Sequence, residues 1–233
     1  METPINMIPI ETLDISLVNS ITSDNLKDIT IEGAEIALDL FLEEGVLKQI
    51  PFFGTFYKGF KATMGIRESI FAKKVFKFLS ELKDIPKEKR VEFVNKLDCD
   101  DNYQTKVGEK LIILIEQLDD IEKPKIIGRL LKSSINEEIE YETFLRLSSV
   151  VQKSFLPDLL KLKPNGSTTR FSQLTKEHFA MLGLMSIKIE ENTRDKEIIN
   201  AARLGGSGDI NIPPILIYEL NELAGKLIKY GLT

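Results

Sequence analysis

The chain has 233 residues, of which 42% are hydrophobic and 29% charged, with a formal net charge of −5 and a single cysteine. This length supports one well-formed core or a main domain with a small appendage, and the composition excludes disordered and collagen-like proteins. The acidic balance disfavours a general nucleic-acid binder, and one cysteine excludes an internal disulfide and is typical of a reducing cytoplasm.

Residues 1–29 mix Pro, Ser, Thr and Asp with short apolar runs, and they predict an extended N-terminal arm. They lack the basic-then-apolar order of a signal peptide. The most apolar window, Ile50–Ile66, has 17 residues and contains two lysines, whereas a membrane-spanning helix needs about 20 apolar residues. We therefore expect a cytoplasmic protein, with a peripheral position at the inner membrane surface as the alternative.

A first helix is predicted from Ile31 to about Glu44, because Thr30 can cap its start and Gly45 can end it. Up to Gly45 the chain carries ten acidic residues and one lysine. This acidic region is the expected intramolecular partner of the basic stretch that follows.

The stretch Val46–Phe78 is rich in both aromatic and basic residues. It holds eight aromatic residues and seven Lys/Arg against a single acid, Glu68, so its local charge is +6. Pro51 suits the first turn of a helix, and Phe52, Phe56 and Phe60 fall at i+4 spacing on one apolar stripe. Such a segment needs something to cover it.

Two hypotheses remain open for this stretch. In the first, its aromatic rings form the core while its lysines face solvent. In the second, it is an amphipathic hairpin whose apolar face is exchanged between packing on the protein itself and binding a partner protein or anionic lipid, so its exposure must be triggered or masked by assembly. The second hypothesis predicts the following partner- or membrane-binding residues: Phe52, Phe53, Phe56, Tyr57, Lys58, Phe60, Lys61 and Arg67.

Helical periodicity continues from Ile66 to Leu162, with short connections between the predicted helices. Pro86 and Pro124 suit helix starts, and Pro157 marks a break. Successive helices with short connections are typical of an antiparallel bundle or stack. We therefore assign residues 30–162 to a helical domain, in a protein of the mainly α class.

The sequence Lys163–Thr169, KPNGSTT, is the best linker in the chain. Residues 163–233, which begin with this linker, are predicted to form a small α+β module. Its expected elements are a helix over Phe171–Leu182 with a tight exit at Gly183, strands over Leu184–Ile189 and Ile215–Leu220, a polar loop over Glu190–Asn211, and a last helix over Asn221–Lys229.

Residues suited to catalysis or metal binding are scarce. His178 is the only histidine, and no Cys or Asp pattern near it suggests a metal ligand or a base. The glycine-rich run Gly205–Asp209 precedes Pro213 and no Lys-Ser/Thr pair, so it predicts a loop and not a phosphate cradle. We expect no catalytic residue, no metal and no cofactor.

Nucleic-acid binding is disfavoured for the C-terminal module. From Pro164 onward eight basic residues are matched by eight acidic residues. Since phosphate neutralisation supplies most non-specific affinity for nucleic acids, a neutral module is a poor candidate.

Two resemblances bear on function. Within Asp39–Leu162, the runs DLFLEEGVLKQIPFFGTFYKGFKATMGIRESIFAKKVFKFL and VGEKLIILIEQLDDIEKPKIIGRLLK resemble a family of uncharacterised bacterial helical proteins, some of whose members lie near phage-defence genes. The runs LGLMSI (Leu182–Ile187) and YELNELAGKLI (Tyr218–Ile228) resemble the rear half of a winged-helix domain.

The family resemblance implies no catalytic residues. It favours a non-enzymatic protein that acts through contacts with a protein partner or a second copy of itself, in phage defence or stress response. The alternatives are an effector that binds membrane surfaces through residues 46–78 and a winged-helix regulator that binds nucleic acid.

Overall fold

The computed structural model of the chain describes residues 10–29, 47–60, 65–98, 107–163, 168–192 and 213–233. These residues form ten α-helices and one two-stranded antiparallel sheet, so the prediction of a mainly helical protein with a small sheet is confirmed. Two predicted features lie outside the described residues: the helix Ile31–Glu44 and the glycine-rich run Gly205–Asp209.

The chain divides into two compact units. Unit 1 comprises Met1–Leu156 and Tyr230–Thr233, and unit 2 comprises Pro157–Lys229. The linker predicted from sequence, Lys163–Thr169, lies a few residues after the boundary between Leu156 and Pro157.

Seven helices precede the boundary: α1 (Ile10–Ile21), α2 (Pro51–Phe60), α3 (Ile66–Ser80), α4 (Lys87–Asp98), α5 (Val107–Glu116), α6 (Lys123–Ile135) and α7 (Tyr141–Lys153). The elements that follow are α8 (Leu156–Leu159), α9 (Gln173–Met181), β1 (Met185–Glu190), β2 (Ile215–Leu220) and α10 (Glu222–Leu227). Single 3₁₀ turns lie at Asp24–Asp28, Leu47–Gln49 and Thr168–Arg170, and a π-helical turn at Ile228–Leu232.

The extended arm predicted over residues 1–29 is wrong for its described part, because Ile10–Ile21 forms helix α1. Leu13, Leu17 and Ile21 recur at the i+4 spacing of one helical face, and all three are buried. The serine content suggested irregular structure, but Ser20 donates its hydroxyl to the carbonyl oxygen of Ser16 and so remains compatible with the helix. Apolar periodicity outweighs composition here.

Unit 1 is built by pairwise helix packing: α1 lies against α2 and α5, α3 against α6, and α6 against α7. Two glycines allow the closest approaches. A Cβ at Gly108 would lie 2.5 Å from the carbonyl oxygen of Asp14, and a Cβ at Gly128 would lie 2.7 Å from that of Phe78. At these crossings one helix backbone therefore rests directly on the other.

Unit 2 contains a β-hairpin supported by α9. Ser172 caps α9 by accepting a hydrogen bond from the N–H of Thr175 at 3.1 Å, and Gly183 ends it with a φ of 78°. The tight exit predicted at Gly183 is confirmed, since a positive φ favours glycine. β1 pairs antiparallel with β2, from Met185 opposite Leu220 to Glu190 opposite Ile215, in agreement with the two predicted strands.

Candidate functional site

The aromatic rings of the predicted binding segment lie mainly inside unit 1. Phe52, Phe53 and Phe56 have relative exposures of 0%, 0% and 1%. The ring of Phe52 packs edge-on against Phe53, with centroids 5.3 Å apart, and stacks on Phe56 at 5.6 Å. Phe71 and Phe76 of α3 extend this cluster, 6.0 Å from Phe52 and 6.3 Å from Phe53. Each buried phenylalanine contributes roughly 1.5–3 kcal/mol.

Helix α1 supplies one cover over these rings. It lies against α2, and the hydroxyl of Ser20 accepts a hydrogen bond from the backbone N–H of Phe52 at 2.8 Å. The hydroxyl of Ser16 donates to that of Thr55 at 2.9 Å. These polar contacts fix how the two helices meet, so the cover is a specific part of the fold.

The structure buries Phe52, Phe53 and Phe56, so their role in binding a partner protein or a membrane stays a prediction that requires the rings to be uncovered first. In this structure the three rings are core, and a partner could reach them only if α1 moved away. The alternative interpretation, with rings inside and lysines outside, describes α2 better.

Of the remaining predicted residues, three have described side chains: Tyr57, Lys58 and Arg67. Lys58 is exposed, and Tyr57 is half-buried with the ammonium of Lys48 4.5 Å from its ring centroid. Arg67 lies at the start of α3 with its side chain 85% exposed. The side chain of Phe60, and Lys61, lie outside the described part of the chain.

The charges of the basic stretch meet acids near the junction between α5 and α6. Arg67 pairs with Glu116 at 2.7 Å, and Lys77 pairs with Glu122. Most of the predicted partner, the acidic region before Gly45, lies outside the described residues, so that pairing stays a prediction. Desolvation opposes ionisation of Glu122, but hydrogen bonds from Lys77 and Lys125 outweigh it and lower the pKa of Glu122.

Lys74 is a buried cation that caps a helix. Its ammonium donates to the carbonyl oxygens of Glu116, at 3.1 Å, and Leu118, at and just beyond the end of α5. Burial lowers the pKa of Lys74, and the charges of Glu116 and Asp119 partly oppose that effect. Cations stabilise helix C-termini, so this lysine has a structural role.

Lys123 is a second buried cation, and it caps the end of α7. Its side chain is fully buried, and its ammonium donates to the carbonyl oxygens of Gln152 and Ser154 at 3.2 and 2.6 Å. Asp119 pairs with it at 2.5 Å. The hydrogen bond from Lys123 lowers the pKa of Asp119, despite some desolvation of that carboxylate.

The β1–β2 hairpin of unit 2 carries an exposed apolar surface. Because opposed residues share a face, Met185, Ile187 and Ile189 lie on one face with their partners Leu220, Tyr218 and Leu216. The end of this face nearest α9 is buried: Met185 and Tyr218 are covered, and the Tyr218 hydroxyl accepts a hydrogen bond from Gln173 at 3.2 Å. Towards the other end, Ile187, Ile189 and Leu216 are 49%, 72% and 47% exposed. We call these three residues the hairpin patch.

The opposite face of the hairpin is mixed and contains Ser186, Lys188, Glu190 and Glu219, with Lys188 paired to Glu219 at 2.6 Å. This face also contains Ile217 and Ile215, the latter 46% exposed, so only the face with the hairpin patch is apolar throughout. The predicted site residues did not include the hairpin patch, although the strand alternation already placed its members on one face.

A cluster of metal-ligating side chains is absent from the described ranges. Within them, no group of three or more His, Cys, Asp or Glu side chains could hold a metal ion. His178 is exposed on α9, beside Phe179 with ring centroids 6.4 Å apart. Among the described helices, none is long and apolar enough to cross a membrane.

Comparison with known proteins gives no relative: no family model, curated protein or solved structure matches the chain. The expected relationship to bacterial helical proteins, and with it the role in defence or stress response, stays a prediction.

Proposed function

We propose that the chain is a non-enzymatic binding protein that contacts a protein partner through the hairpin patch, Ile187, Ile189 and Leu216. The observation that carries this proposal is the exposure of three large aliphatic side chains on one continuous face. The remainder of that face is already used in packing within unit 2.

The energetics favour covering this surface. Fully burying an isoleucine or leucine contributes roughly 1.5–3 kcal/mol, and the three side chains retain about half or more of their exposure. A two-stranded hairpin is marginally stable by itself. A partner that packs on the patch would supply the apolar contacts that α9 supplies at the other end.

The sheet also offers backbone groups. Since the described sheet has two strands, each strand pairs on one side only, and an extended peptide can add to such an edge. The winged-helix-like organisation of unit 2 remains part of this proposal, as a scaffold for protein contacts. From Pro164 onward the numbers of basic and acidic residues are equal, which supports a protein partner over nucleic acid.

Capture of partners by three forms of the protein tests the proposal. The full chain, an Ile189→Lys/Leu216→Lys variant and a Ser186→Lys control would be immobilised and exposed to extract of the native host. Ser186 is exposed on the opposite face of β1. We expect one partner to be retained by the first and third proteins and lost by the second.

Retention of the same partner by all three proteins would contradict the proposal. Circular dichroism of each variant would confirm that its fold is intact. Mass measurement of the isolated protein would distinguish a second copy of this chain from a different partner.

A further inference from the structure

Unit 1 contains a half-open cleft of about 520 Å³ between α4 and the turn that joins α6 to α7. It is unrelated to the hairpin patch, and none of the residues predicted to bind a partner lines it. Its walls are supplied by Phe93, Lys96 and Leu97 on one side and by residues from Ser134 to Glu142 on the other.

The apolar part of the cleft is aromatic. The rings of Phe93 and Tyr141 meet edge to face, with centroids 5.9 Å apart and an interplanar angle of 72°. Phe144 stacks behind Tyr141 at 5.5 Å. Phe93 is half-buried while Tyr141 is buried, so the exposed part of the Phe93 ring offers a π-surface to a molecule in the cleft.

The charged residues around this aromatic pair are mainly acidic. Four glutamates and two lysines line the cleft: Glu92, Glu137, Glu140, Glu142, Lys89 and Lys96. Lys96 pairs with Glu137 at 3.5 Å, and Glu142 pairs with Arg146 at 2.6 Å. Within the described residues, no ion pair engages Glu92 or Glu140, although Lys89 and Lys96 lie one helical turn from Glu92 on α4.

A buried hydroxyl in the cleft wall lacks a partner. Ser134 is 4% exposed, and its Oγ makes no hydrogen bond. Two other buried serines bond to a carbonyl four residues earlier: Ser20 of α1 to Ser16, and Ser154, just after α7, to Val150. Ser148 is also unpaired but does not line the cleft.

The backbone of the turn is, by contrast, satisfied. The N–H of Glu137 donates to the carbonyl of Ser134 at 3.1 Å, and that of Glu138 to the carbonyl of Ser133 at 2.9 Å. The free polar group is therefore specific to the side chain of Ser134. Buried polar groups without partners are uncommon in folded proteins and call for an explanation such as a bound molecule.

We propose that this cleft binds an organic cation, an ammonium or guanidinium group carried on an apolar or aromatic body. The cation would lie between Glu92 and Glu140 and against the exposed part of the Phe93 ring, because aromatic faces attract cations. The apolar body would enter between α4 and the turn, where a small adjustment would let a polar atom reach Ser134.

The test uses three probes that share an indole ring and differ in charge: tryptamine is cationic, tryptophol neutral and indole-3-acetate anionic. Each would be titrated into the full ¹⁵N-labelled chain while amide chemical shifts are recorded. We expect tryptamine to shift amides of residues 92–97 and 134–142 with a dissociation constant on the order of 1 mM. Indole-3-acetate should leave them unchanged.

A charge-matched pair of variants makes the test specific. Replacing Glu92 and Glu140 by glutamine should weaken tryptamine binding about threefold or more, since partly exposed charge pairs are individually weak. The control variant replaces Glu88 and Glu138 by glutamine. These residues are exposed and do not line the cleft, so the affinity for tryptamine should stay unchanged.

Absence of shifts with tryptamine, equal binding of indole-3-acetate, or equal weakening by both variants would overturn the proposal. Tighter binding of an acetylated and amidated Trp-Arg dipeptide would assign the cation to the side chain of a bound protein. Weaker binding of that dipeptide would assign it to a free small molecule.

Discussion

Single buried cations fix the ends of helices in unit 1. Lys74 caps the end of α5 and Lys123 that of α7. Arg90 caps the end of α1, because its guanidinium donates to the carbonyl oxygens of Ile21 and Ser23. Burial lowers the pKa of Arg90, against the charges of Asp24 and Glu88. Each cation satisfies carbonyl groups that a helix end leaves without partners.

Replacing Lys123 with methionine should lower the free energy of unfolding by about 2–3 kcal/mol, because two buried carbonyls lose their donor while the apolar stem stays packed. The control, Lys125→Met, removes a partly exposed cation that pairs with Glu122 at 2.9 Å and should cost less than about 1 kcal/mol. Urea unfolding followed by circular dichroism measures both. Equal losses would show that Lys123 has no special structural role.

In the sequence Lys74 is part of the basic stretch, and no pattern marks Lys74, Lys123 or Arg90 as a cap. Lys74 and Lys77 are three residues apart on α3, yet Lys74 is buried and Lys77 is less so. Their roles differ because one reaches carbonyls after α5 while the other reaches the carboxylate of Glu122. Such partners are more than 40 positions away along the chain, and no local pattern encodes them.

At the scale of elements, backbone contact at glycine controls how helices approach each other. Gly128 of α6 packs against α3, where an added Cβ would lie 2.7 Å from the Phe78 carbonyl oxygen and 2.8 Å from the Cβ of Glu81. Gly225 of α10 has no atom within 4 Å of such a Cβ. The two glycines therefore provide a matched comparison.

Gly128→Ala should destabilise the protein by roughly 1–3 kcal/mol, since the cost of overpacking exceeds the gain in helix propensity of about 1 kcal/mol. Gly225→Ala should be neutral or stabilise by up to about 1 kcal/mol. Thermal unfolding of both variants provides the measurement. A neutral Gly128→Ala variant would mean that α3 and α6 are not in backbone contact.

Most helices and both strands could be predicted because their signals are local. Pro51 begins α2 and Pro124 lies in the first turn of α6, as expected from proline's fixed φ. The extended arm was wrongly predicted over α1 because the apolar spacing of a helix occurs there together with residues that favour loops. That α1 covers Phe52 is a contact between separate elements, which periodicity in neither of them reveals.

Across the whole molecule, the hairpin patch of unit 2 is exposed, whereas the aromatic stretch of unit 1 is largely buried. The aromatic stretch combined rings and charge in the sequence, but its described rings face inward and several of its cations bind carbonyls or carboxylates. The hairpin patch contains three aliphatic residues without unusual composition. The patch is exposed because the packing that covers Met185 and Tyr218 does not extend to Ile187, Ile189 and Leu216. The sequence pattern does not reveal this limit of the packing.

Photo-crosslinking in the native host distinguishes these two surfaces most directly. A benzophenone amino acid would replace Ile189 in one variant and Lys58, which is exposed on α2, in another. The account predicts a discrete covalent adduct with a protein from position 189 and none from position 58. An adduct from position 58 alone, or none from either position, would contradict it.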